Sequence, residues 1–278
     1  MQNFPGLVDQ GHEIICSPSG VSPYYNTVAA SATVNTKGSW VTIGTCPSGY
    51  DAVPTVVIHG TPNDTGTYLV DFGINGISGW LLSNLFYSIP NALGFEQHYM
   101  VTLPVRILAG QNLQARCAAD GAYDALWMSV IFHPIGAFNS SQVLSISETW
   151  GSDASSTRGT ELDPGTTQNQ KATTYTTVVA STTADTKGFL IAVGRRQVGS
   201  YGTSQFRLDI AIGASSNEVV IVEDFGLTSY SNGGQPEPRI SPFFPIAIPA
   251  GTRVSARTQC SVNTDPSRFI DIVMYGFY

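Results

Sequence analysis

Charged residues are scarce in this chain. They make up 12% of its 278 residues, about half of the roughly 25% that is usual for soluble domains. Acidic residues outnumber basic ones by 20 to 13, which gives a net charge of −7. A nucleic-acid-binding protein needs clustered Lys and Arg to displace phosphate counterions, and the nearest approach to a basic patch here is the dipeptide Arg195-Arg196. The composition therefore disfavours a nucleic-acid partner.

Long apolar runs and targeting signals are also lacking. No stretch approaches the roughly 18 apolar residues that a membrane-spanning helix needs. The residues from Met1 onward do not show the basic and then apolar pattern of a secretory signal. We therefore expect no membrane association, and synthesis in a cytoplasm.

Motifs for catalysis and metal binding are missing as well. There is no P-loop, no dinucleotide fingerprint and no nucleophile elbow. The cysteines form no CxxC pair and the histidines are scattered; these residues are Cys16, Cys46, Cys117, Cys260, His12, His59, His98 and His133. We predict no enzymatic activity, no cofactor and no metal site. We expect mostly reduced, buried thiols, with a Cys16–Cys46 disulfide as the open alternative.

What the chain has in abundance is turn residues and alternating strands. It contains 28 Gly and 16 Pro, which supply the backbone angles of tight turns. In the segment Phe206–Ile212 the apolar side chains alternate with the others, as in a half-buried antiparallel strand. About eight such strands per half, separated by turn signals, favour a β-sandwich or barrel. Short helical turns are predicted only at Asn84–Tyr87 and Asp224–Ser229.

The two halves of the chain resemble each other. Four segments recur in the same order, namely Thr27–Gly44 with Thr177–Gly194, Tyr68–Ile74 with Phe206–Ile212, Leu103–Arg116 with Phe244–Arg257, and Met128–Phe132 with Ile270–Met274. This match includes Thr-Lys-Gly turns in the first pair and Ala-Gly turns in the third. The spacing between copies drops after the first pair, which predicts an insertion of about a dozen residues around Cys46–Thr55 in the first copy.

These patterns predict an all-β fold of two tandem antiparallel β-sandwich domains of the jelly-roll type, related by internal duplication. The first domain is expected at 1–140, with an N-terminal arm over about 1–22. The second is expected at 173–278. Between them, 141–172 is predicted to be a polar linker, with the first strand of the second domain as a possible part of it.

The polar residues that recur in both copies are the candidate site residues. Asp71 matches Asp209, and Arg116 matches Arg257. The two aspartates belong to different domains, so they are not predicted to form a glycosidase pair. The aspartates are expected to point outward from their strands. Each arginine is expected either to bind within its own domain, to the aspartate or to backbone carbonyls, or to contact another subunit, where bidentate Arg is favoured. All four residues are therefore candidate inter-subunit contacts.

Loop aromatics offer a second candidate site. A sugar could stack on exposed rings, and the candidates are Tyr24, Tyr25, Trp150, Tyr201 and Tyr230. The alternative is that each ring only packs against its neighbours.

The segment that reads Pro-Ile-Ala-Ile-Pro-Ala-Gly-Thr-Arg-Val-Ser-Ala-Arg, from Pro245 to Arg257, is similar to a strand-turn-strand of jelly-roll proteins in tailed bacteriophages. The resemblance is to capsid decoration or cement proteins and to related tail and baseplate modules. It implies a homotrimer seated on a shell, with a major capsid protein or another virion protein as partner, and therefore a virion location.

Three functions follow as expectations. The first is a decoration or cement subunit that stabilises a phage shell by protein–protein contacts. The second is a tail-fibre or baseplate module that binds a receptor or glycan. The third is a major capsid protein of the double-jelly-roll kind.

Overall fold

The computed structural model describes residues 25–61, 66–74, 80–89, 99–135, 147–195, 202–229 and 235–278. Across these ranges the chain forms sixteen strands, which are Asn26–Ala29 (β1), Val41–Thr45 (β2), Ala52–Gly60 (β3), Gly66–Ile74 (β4), Trp80–Ile89 (β5), Tyr99–Thr102 (β6), Asn112–Ala119 (β7), Ala125–Pro134 (β8), Ser147–Trp150 (β9), Thr160–Leu162 (β10), Thr176–Val179 (β11), Gly188–Gly194 (β12), Ser204–Ile212 (β13), Val219–Ser229 (β14), Val254–Cys260 (β15) and Ile270–Phe277 (β16). Over the same ranges, no helix has the length and apolar character needed to cross a membrane. The predicted all-β fold of antiparallel sandwiches is confirmed.

The first half of the chain forms one sandwich of two four-stranded sheets. One sheet has the order β1-β8-β3-β6, and the other has the order β2-β7-β4-β5. All of their pairings are antiparallel. Consecutive strands therefore alternate between the two sheets, except β4 and β5, which pair with each other in one sheet; this is the arrangement of a jelly roll.

The second half repeats this arrangement. One sheet has the order β11-β15-β13-β14, which corresponds to β2-β7-β4-β5. In the other sheet, β16 lies between β12 on one side and both β9 and β10 on the other. The place of β6 is taken by a segment that touches β12 through single bridges at Ile240 and Phe244. The prediction that the halves arose by duplication stays a prediction.

Part of the predicted linker belongs to the second sandwich. Strands β9 and β10 both lie inside 141–172 and pair with β16. The loop 151–159 leaves the sheet between them, and we call it the clasp loop. Its start requires a glycine, because Gly151 has a φ of +82° and a Cβ there would come within 2.8 Å of Val178. The boundary at 140 lies outside the described residues.

The sequence predicted one separate hydrophobic core in each half, but the core cluster of the first half includes residues from the second. Phe189, Ile191 and Ile272 point into the second sandwich. Alternate residues of the same strands, from Leu190 to Ala192 in β12 and from Val273 to Phe277 in β16, belong instead to the core cluster of the first half. The β12–β16 sheet is therefore buried on both faces, and the two halves form a continuous packed unit.

The match between Thr27–Gly44 and Thr177–Gly194 aligned strands that are not equivalent in the fold. β1 pairs with β8, whereas β11 pairs with β15, the partner that corresponds to β7. By pairing, β11 corresponds to β2, and β12 corresponds to β3. The predicted insertion around Cys46–Thr55 is thus wrong, because the change in spacing came from the misplaced match, and Ala52 to Thr55 begins strand β3. The Ala-Gly turns are correctly matched, with φ values of +75° at Gly110 and +77° at Gly251.

The two predicted helical turns are strands. Asn84 lies within β5 and Asp224 within β14. Each has a positive φ, 56° and 54°, and sits where the pairing register shifts. Asn and Asp tolerate this backbone region, and a β-bulge bends the strand locally. The short polar residue therefore marks a bulge rather than a helix start.

Candidate functional site

A buried carboxylate organises the outer face of the β2-β7-β4-β5 sheet. The Asp71 side chain on β4 is fully buried. Its Oδ1 accepts hydrogen bonds from Lys37 Nζ at 2.7 Å and from the Asn84 backbone N–H at 2.9 Å. Its Oδ2 accepts one from Arg116 Nε at 2.9 Å. The Arg116 guanidinium also lies 4.7 Å from the centre of the Trp40 ring.

The second half reproduces the three hydrogen bonds to the buried carboxylate. Asp209 Oδ1 accepts hydrogen bonds from Lys171 Nζ at 2.8 Å and from the Asp224 N–H at 2.9 Å. Its Oδ2 accepts from Arg257 Nε at 3.0 Å. Arg257 lies 4.5 Å from the ring centre of Tyr175, the counterpart of Trp40. Both clusters join strands of the sheet to the segment that precedes it.

The electrostatics of the two lysines differ. Burial lowers the pKa of Lys37 below its usual value, and the nearby Asp71 only partly offsets this effect. Burial also opposes the charge on Lys171, but hydrogen bonds to Asp209 and Asp224 outweigh it and raise its pKa. Lys37 is the more deeply buried of the two, and a second carboxylate adds to the difference, because Asp224 Oδ1 lies 2.7 Å from Lys171 Nζ, where the first half has the neutral Asn84.

The predicted site residues therefore come together within each half. Asp71 pairs with Arg116, and Asp209 pairs with Arg257, at directly opposed positions on neighbouring strands. The aspartates are buried, so their carboxylates are not presented at the surface, although the arginine side chains are about one quarter exposed. Asp71 and Asp209 are not brought into one site.

The sequence comparison missed the lysines of this cluster. It matched Lys37 with Lys187, but the residue that occupies the same place in the second half is Lys171. A usable signal was present, since both lysines follow an asparagine at two positions, Asn35 and Asn169. Those asparagines have φ values of 59° and 58°. Their backbone N–H groups donate to the last residues of β7 and β15.

The edge of the first sandwich is covered by the second. Strand β5 is the outer strand of its sheet. The hydroxyl of Tyr275 on β16 accepts a hydrogen bond from the Phe86 N–H at 2.8 Å and donates to the Asn84 carbonyl at 2.9 Å. The Ser147 and Thr149 hydroxyls on β9 donate to the carbonyls of Leu81 and Ser83. Side chains of one half thus satisfy the backbone of an edge strand in the other.

The clasp loop fills a groove beside the Asp71 cluster. Thr157 Oγ1 donates to Asn35 Oδ1 at 2.9 Å and lies 3.3 Å from Thr67 Oγ1. Asn84 Nδ2 donates to Ser152 Oγ at 3.3 Å. Thr157 is fully buried there. The loop is held to its own sheet by Arg158, which forms a two-pronged ion pair with the buried Asp271.

The corresponding place in the second half is an open groove of about 550 Å³. Its lining is mostly amide, hydroxyl and charged, and it consists of Asn169, Gln205, Phe206, Arg207, Asp224, Gly226, Leu227, Thr228 and Gln259. Asn169, Gln205 and Asp224 hold the positions that Asn35, Thr67 and Asn84 hold in the first half. The evidence is matching hydrogen bonds: the asparagines donate to β7 and β15, the Thr67 and Gln205 carbonyls accept from the residues just after those strands, and Asn84 and Asp224 donate to the buried aspartates. Hydrogen-bonding side chains at these positions can recognise hydroxyl or peptide groups.

The other candidate residues take structural positions. Trp150, predicted as an exposed ring, is buried in the second core, where its ring lies over Gly276, whose missing side chain leaves room for it. Tyr25 stacks on Trp127 with the ring centres 5.8 Å apart, and it also contacts His59. Tyr24, Tyr201, Tyr230, His12 and His98 lie outside the described residues. Among the residues that the structure describes, no group of three His, Cys, Asp or Glu is placed to hold a metal.

The described cysteines are buried thiols. Cys46, Cys117 and Cys260 are free. Burial raises the pKa of Cys46 to about 11 and that of Cys117 to about 12, so both are protonated at neutral pH. Cys16, the other member of the alternative disulfide, lies outside the described residues.

No family model matches the chain, and no curated protein matches it. Among solved structures, PNGF-II resembles it with a TM-score of 0.40 and 10% identity over 91% of this chain. This chain spans 65% of the length of PNGF-II. The tandem CBM22 domains of Paenibacillus barcinonensis Xyn10C give a TM-score of 0.23 and 8% identity, covering 91% of this chain and all of that one. The T13 IBDV viral particle protein gives 0.23 and 11%, covering 91% and 67%. These values identify no family.

Proposed function

We propose that this protein is a structural component of a virus particle, a decoration subunit that attaches to a shell through protein–protein contacts. The observation that carries the proposal is the β12–β16 sheet, which has apolar residues on both faces and is packed against both sandwiches. The chain thus already uses the outer face of a jelly roll as a docking surface. The similarity of Pro245–Arg257 to phage virion proteins supports the same role.

The action of such a subunit is the burial of surface. A specific contact between proteins buries roughly 1,200–2,000 Å². A subunit that binds the assembled shell, and not its dissociated parts, stabilises the shell by mass action. Two sandwiches held in fixed relation present two such surfaces together, so docking of the first raises the effective concentration of the second.

The polar clusters contribute to this role by fixing the shape of each sandwich. Each buried aspartate ties two strands to the segment before the sheet through Lys and Arg. Satisfied polar networks of this kind make a fold rigid. A rigid surface loses less conformational entropy on docking than a mobile one.

The test is the location of the protein. Antibodies raised against the purified chain are used to probe virus particles, isolated by density gradient, from the culture that is the source of the sequence. Co-migration with particles, and a lower melting temperature of particles from which the protein has been stripped, are expected. Recovery of the protein only in the particle-free fractions would overturn the proposal.

A saccharide-binding module is the second candidate, and the groove of the second half favours it. Gln205, Gln259 and Asn169 present amides there beside Arg207 and Asp224, a set that can hydrogen-bond sugar hydroxyls. Titration of the isotope-labelled protein with neutral oligosaccharides, followed by nuclear magnetic resonance, tests this function. Saturable shifts confined to groove residues are expected if it holds, and unchanged spectra at millimolar sugar would exclude it.

A further inference from the structure

We infer that the open edge of β14 and the groove beside it are a docking surface for a second copy of this chain, which attaches through the outer face of its β1-β8-β3-β6 sheet. This goes beyond the proposed function, because it names the surface by which copies join. It also holds for the purified protein whether or not that protein resides in a virus particle.

The contact between the two halves provides the template. There, the outer face of a jelly-roll sheet in the second half covers the edge strand β5 of the first half, with Tyr275 bonded to the Asn84 carbonyl and the Phe86 N–H. The clasp loop fills the adjoining groove through Thr157 and Ser152. In the first half, what covers the edge and fills the groove is therefore another part of the protein.

The second half has an equivalent edge strand, β14, and an equivalent groove. In the described part of the chain, no sheet packs over that edge and no loop fills that groove. β14 is the last strand of its sheet, and among the described residues only Thr228 forms a bridge along its outer side, to Glu237. Val219 is 63% exposed and Val220 is 39% exposed. An exposed edge strand is a template for pairing with another chain, and apolar side chains on it favour burial.

The position of the bulge matches as well. Asp224 in β14 corresponds to Asn84 in β5, and both have positive φ and donate their N–H to the buried aspartate. Gly226, two residues further on, corresponds to Phe86, whose N–H bonds Tyr275 in the first half. A Cβ on Gly226 would meet nothing within 4 Å. There is thus space at this edge for an incoming surface.

The surface of the second copy that would cover β14 is identified by comparing the two sheets of this type within one chain. The outer face of the β12–β16 sheet is already buried against its own first half. The corresponding sheet of the first half, β1-β8-β3-β6, has an outer face with Trp127 and Ile131 half-buried on β8 and Met100 56% exposed on β6. Among the described residues, its outward side chains carry no carboxylate, Lys or Arg, and they mix the Tyr25–Trp127–His59 ring cluster with hydroxyls such as those of Thr55 and Thr102, which hydrogen-bond each other at 2.8 Å.

The donor and acceptor surfaces lie on different halves, so the contact is heterologous. Such contacts join copies head to tail, and they give a closed ring when the rotation closes and a filament when it does not. Each contact between copies would then join the same two kinds of surface, a sheet face and the edge of a strand, as the contact between the halves of one chain.

Two variants test the inference, one on each surface. Gly226→Arg places a bulky cation on the acceptor edge, and Met100→Arg places one on the donor face. Gly49→Arg is the matched control, because its Cβ also meets nothing within 4 Å and it is exposed in the turn before β3. Thermal unfolding of each variant confirms that it is folded.

Native mass is measured by light scattering after size exclusion over a range of concentrations. The unaltered chain and Gly49→Arg are expected to form oligomers that are multiples of 29.6 kDa. Gly226→Arg alone and Met100→Arg alone are expected to be monomers. Mixed together they retain one intact donor and one intact acceptor, so they should form a dimer that does not grow further.

Other results would overturn the inference. A monomeric unaltered chain at every concentration would do so, as would oligomers that neither substitution dissociates. A mixture of the two variants that stays monomeric would show that the two surfaces do not join. Saturation of the groove by oligosaccharide without any effect on native mass would assign it to a sugar instead. Since none of these measurements uses virus particles, failure here leaves the proposed function to its own test.

Discussion

The two carboxylate clusters have the same frame but are completed differently. In the first half the bulge residue is Asn84, whose amide donates to Ser152 of the clasp loop. In the second half it is Asp224, whose carboxylate contacts Lys171 and, at 3.4 Å, Arg207. The bulge residue of the first cluster thus hydrogen-bonds the neighbouring sandwich, whereas that of the second adds a further carboxylate to its own cluster. The comparison shows how one strand arrangement can have a covered edge in one copy and an open edge in the other.

The largest expected effect comes from removing the buried carboxylates. Asp71→Asn leaves Lys37 and Arg116 without their common anion, and breaking a buried ion pair in this way costs about 3–5 kcal/mol of unfolding free energy. Asp209→Asn should cost roughly 1 kcal/mol less, because Lys171 retains Asp224. Urea unfolding of both variants measures the difference. Equal losses would show that Asp224 contributes nothing to its cluster.

A smaller effect is expected at the contact between the halves. Tyr275→Phe keeps the ring in the core but leaves the Phe86 N–H and the Asn84 carbonyl without this partner, for a loss of about 2–3 kcal/mol. Tyr123→Phe, at a ring that is 71% exposed, is the control and should change stability little. Hydrogen exchange at Phe86 measures the local effect, and unchanged protection there would argue against the role assigned to Tyr275.

The smallest effect is a change in pH dependence. The pKa of Lys171 is raised on folding, so its contribution to stability is present below its unfolded value and is lost as pH rises through the folded one. The pKa of Lys37 is lowered on folding, so just below the unfolded value the unfolded state binds more protons, and stability rises with pH there. The two lysines thus oppose each other in alkaline solution.

Asp224→Asn makes the second cluster resemble the first and should reduce the pKa of Lys171. The loss of unfolding free energy at neutral pH should be under about 1 kcal/mol, since this carboxylate is partly exposed. Above about pH 10, where an unperturbed lysine begins to lose its proton, the fall in stability that Lys171 causes should shrink. The measurement is urea unfolding over that pH range, with Lys171→Met as the reference. An unaltered slope would contradict the proposed influence of Asp224.

Local patterns predicted the elements that depend on neighbours in sequence. The alternation in Phe206–Ile212 and the Ala-Gly turns gave strands and turns at the correct places, and the matched Asp and Arg were expected to be able to pair. The positions of Lys171 and Trp150 depended on which strands pair, and the repeat match had placed β11 in the wrong sheet. The repeat match aligned the two Thr-Lys-Gly turns and therefore paired Lys37 with Lys187. In the structure the lysine equivalent to Lys37 is Lys171, which lies in a different turn.

One overlooked signal concerned the contact between the halves. Gly188–Gly194 and Ile270–Phe277 are almost continuously apolar rather than alternating, and every residue in both strands is buried. Such runs are typical of sheets that are covered on both faces. The half-buried strand β13 alternates, as expected for a strand with one exposed face. The contrast between these strands in one domain indicates which sheet lies between the two sandwiches.

The order of synthesis gives the covered edge of β5 a further consequence. Ribosomes add roughly 5–20 residues per second, and domains that emerge first fold first. The strand that supplies Tyr275 is the last of the described strands, so a folded first half keeps an uncovered edge for roughly 7–30 seconds while the second is made. During that interval the edge can pair with a neighbouring nascent chain on the same messenger RNA. Slower translation of the second half therefore lengthens the exposure of this edge, although it leaves the contacts of the finished chain unchanged.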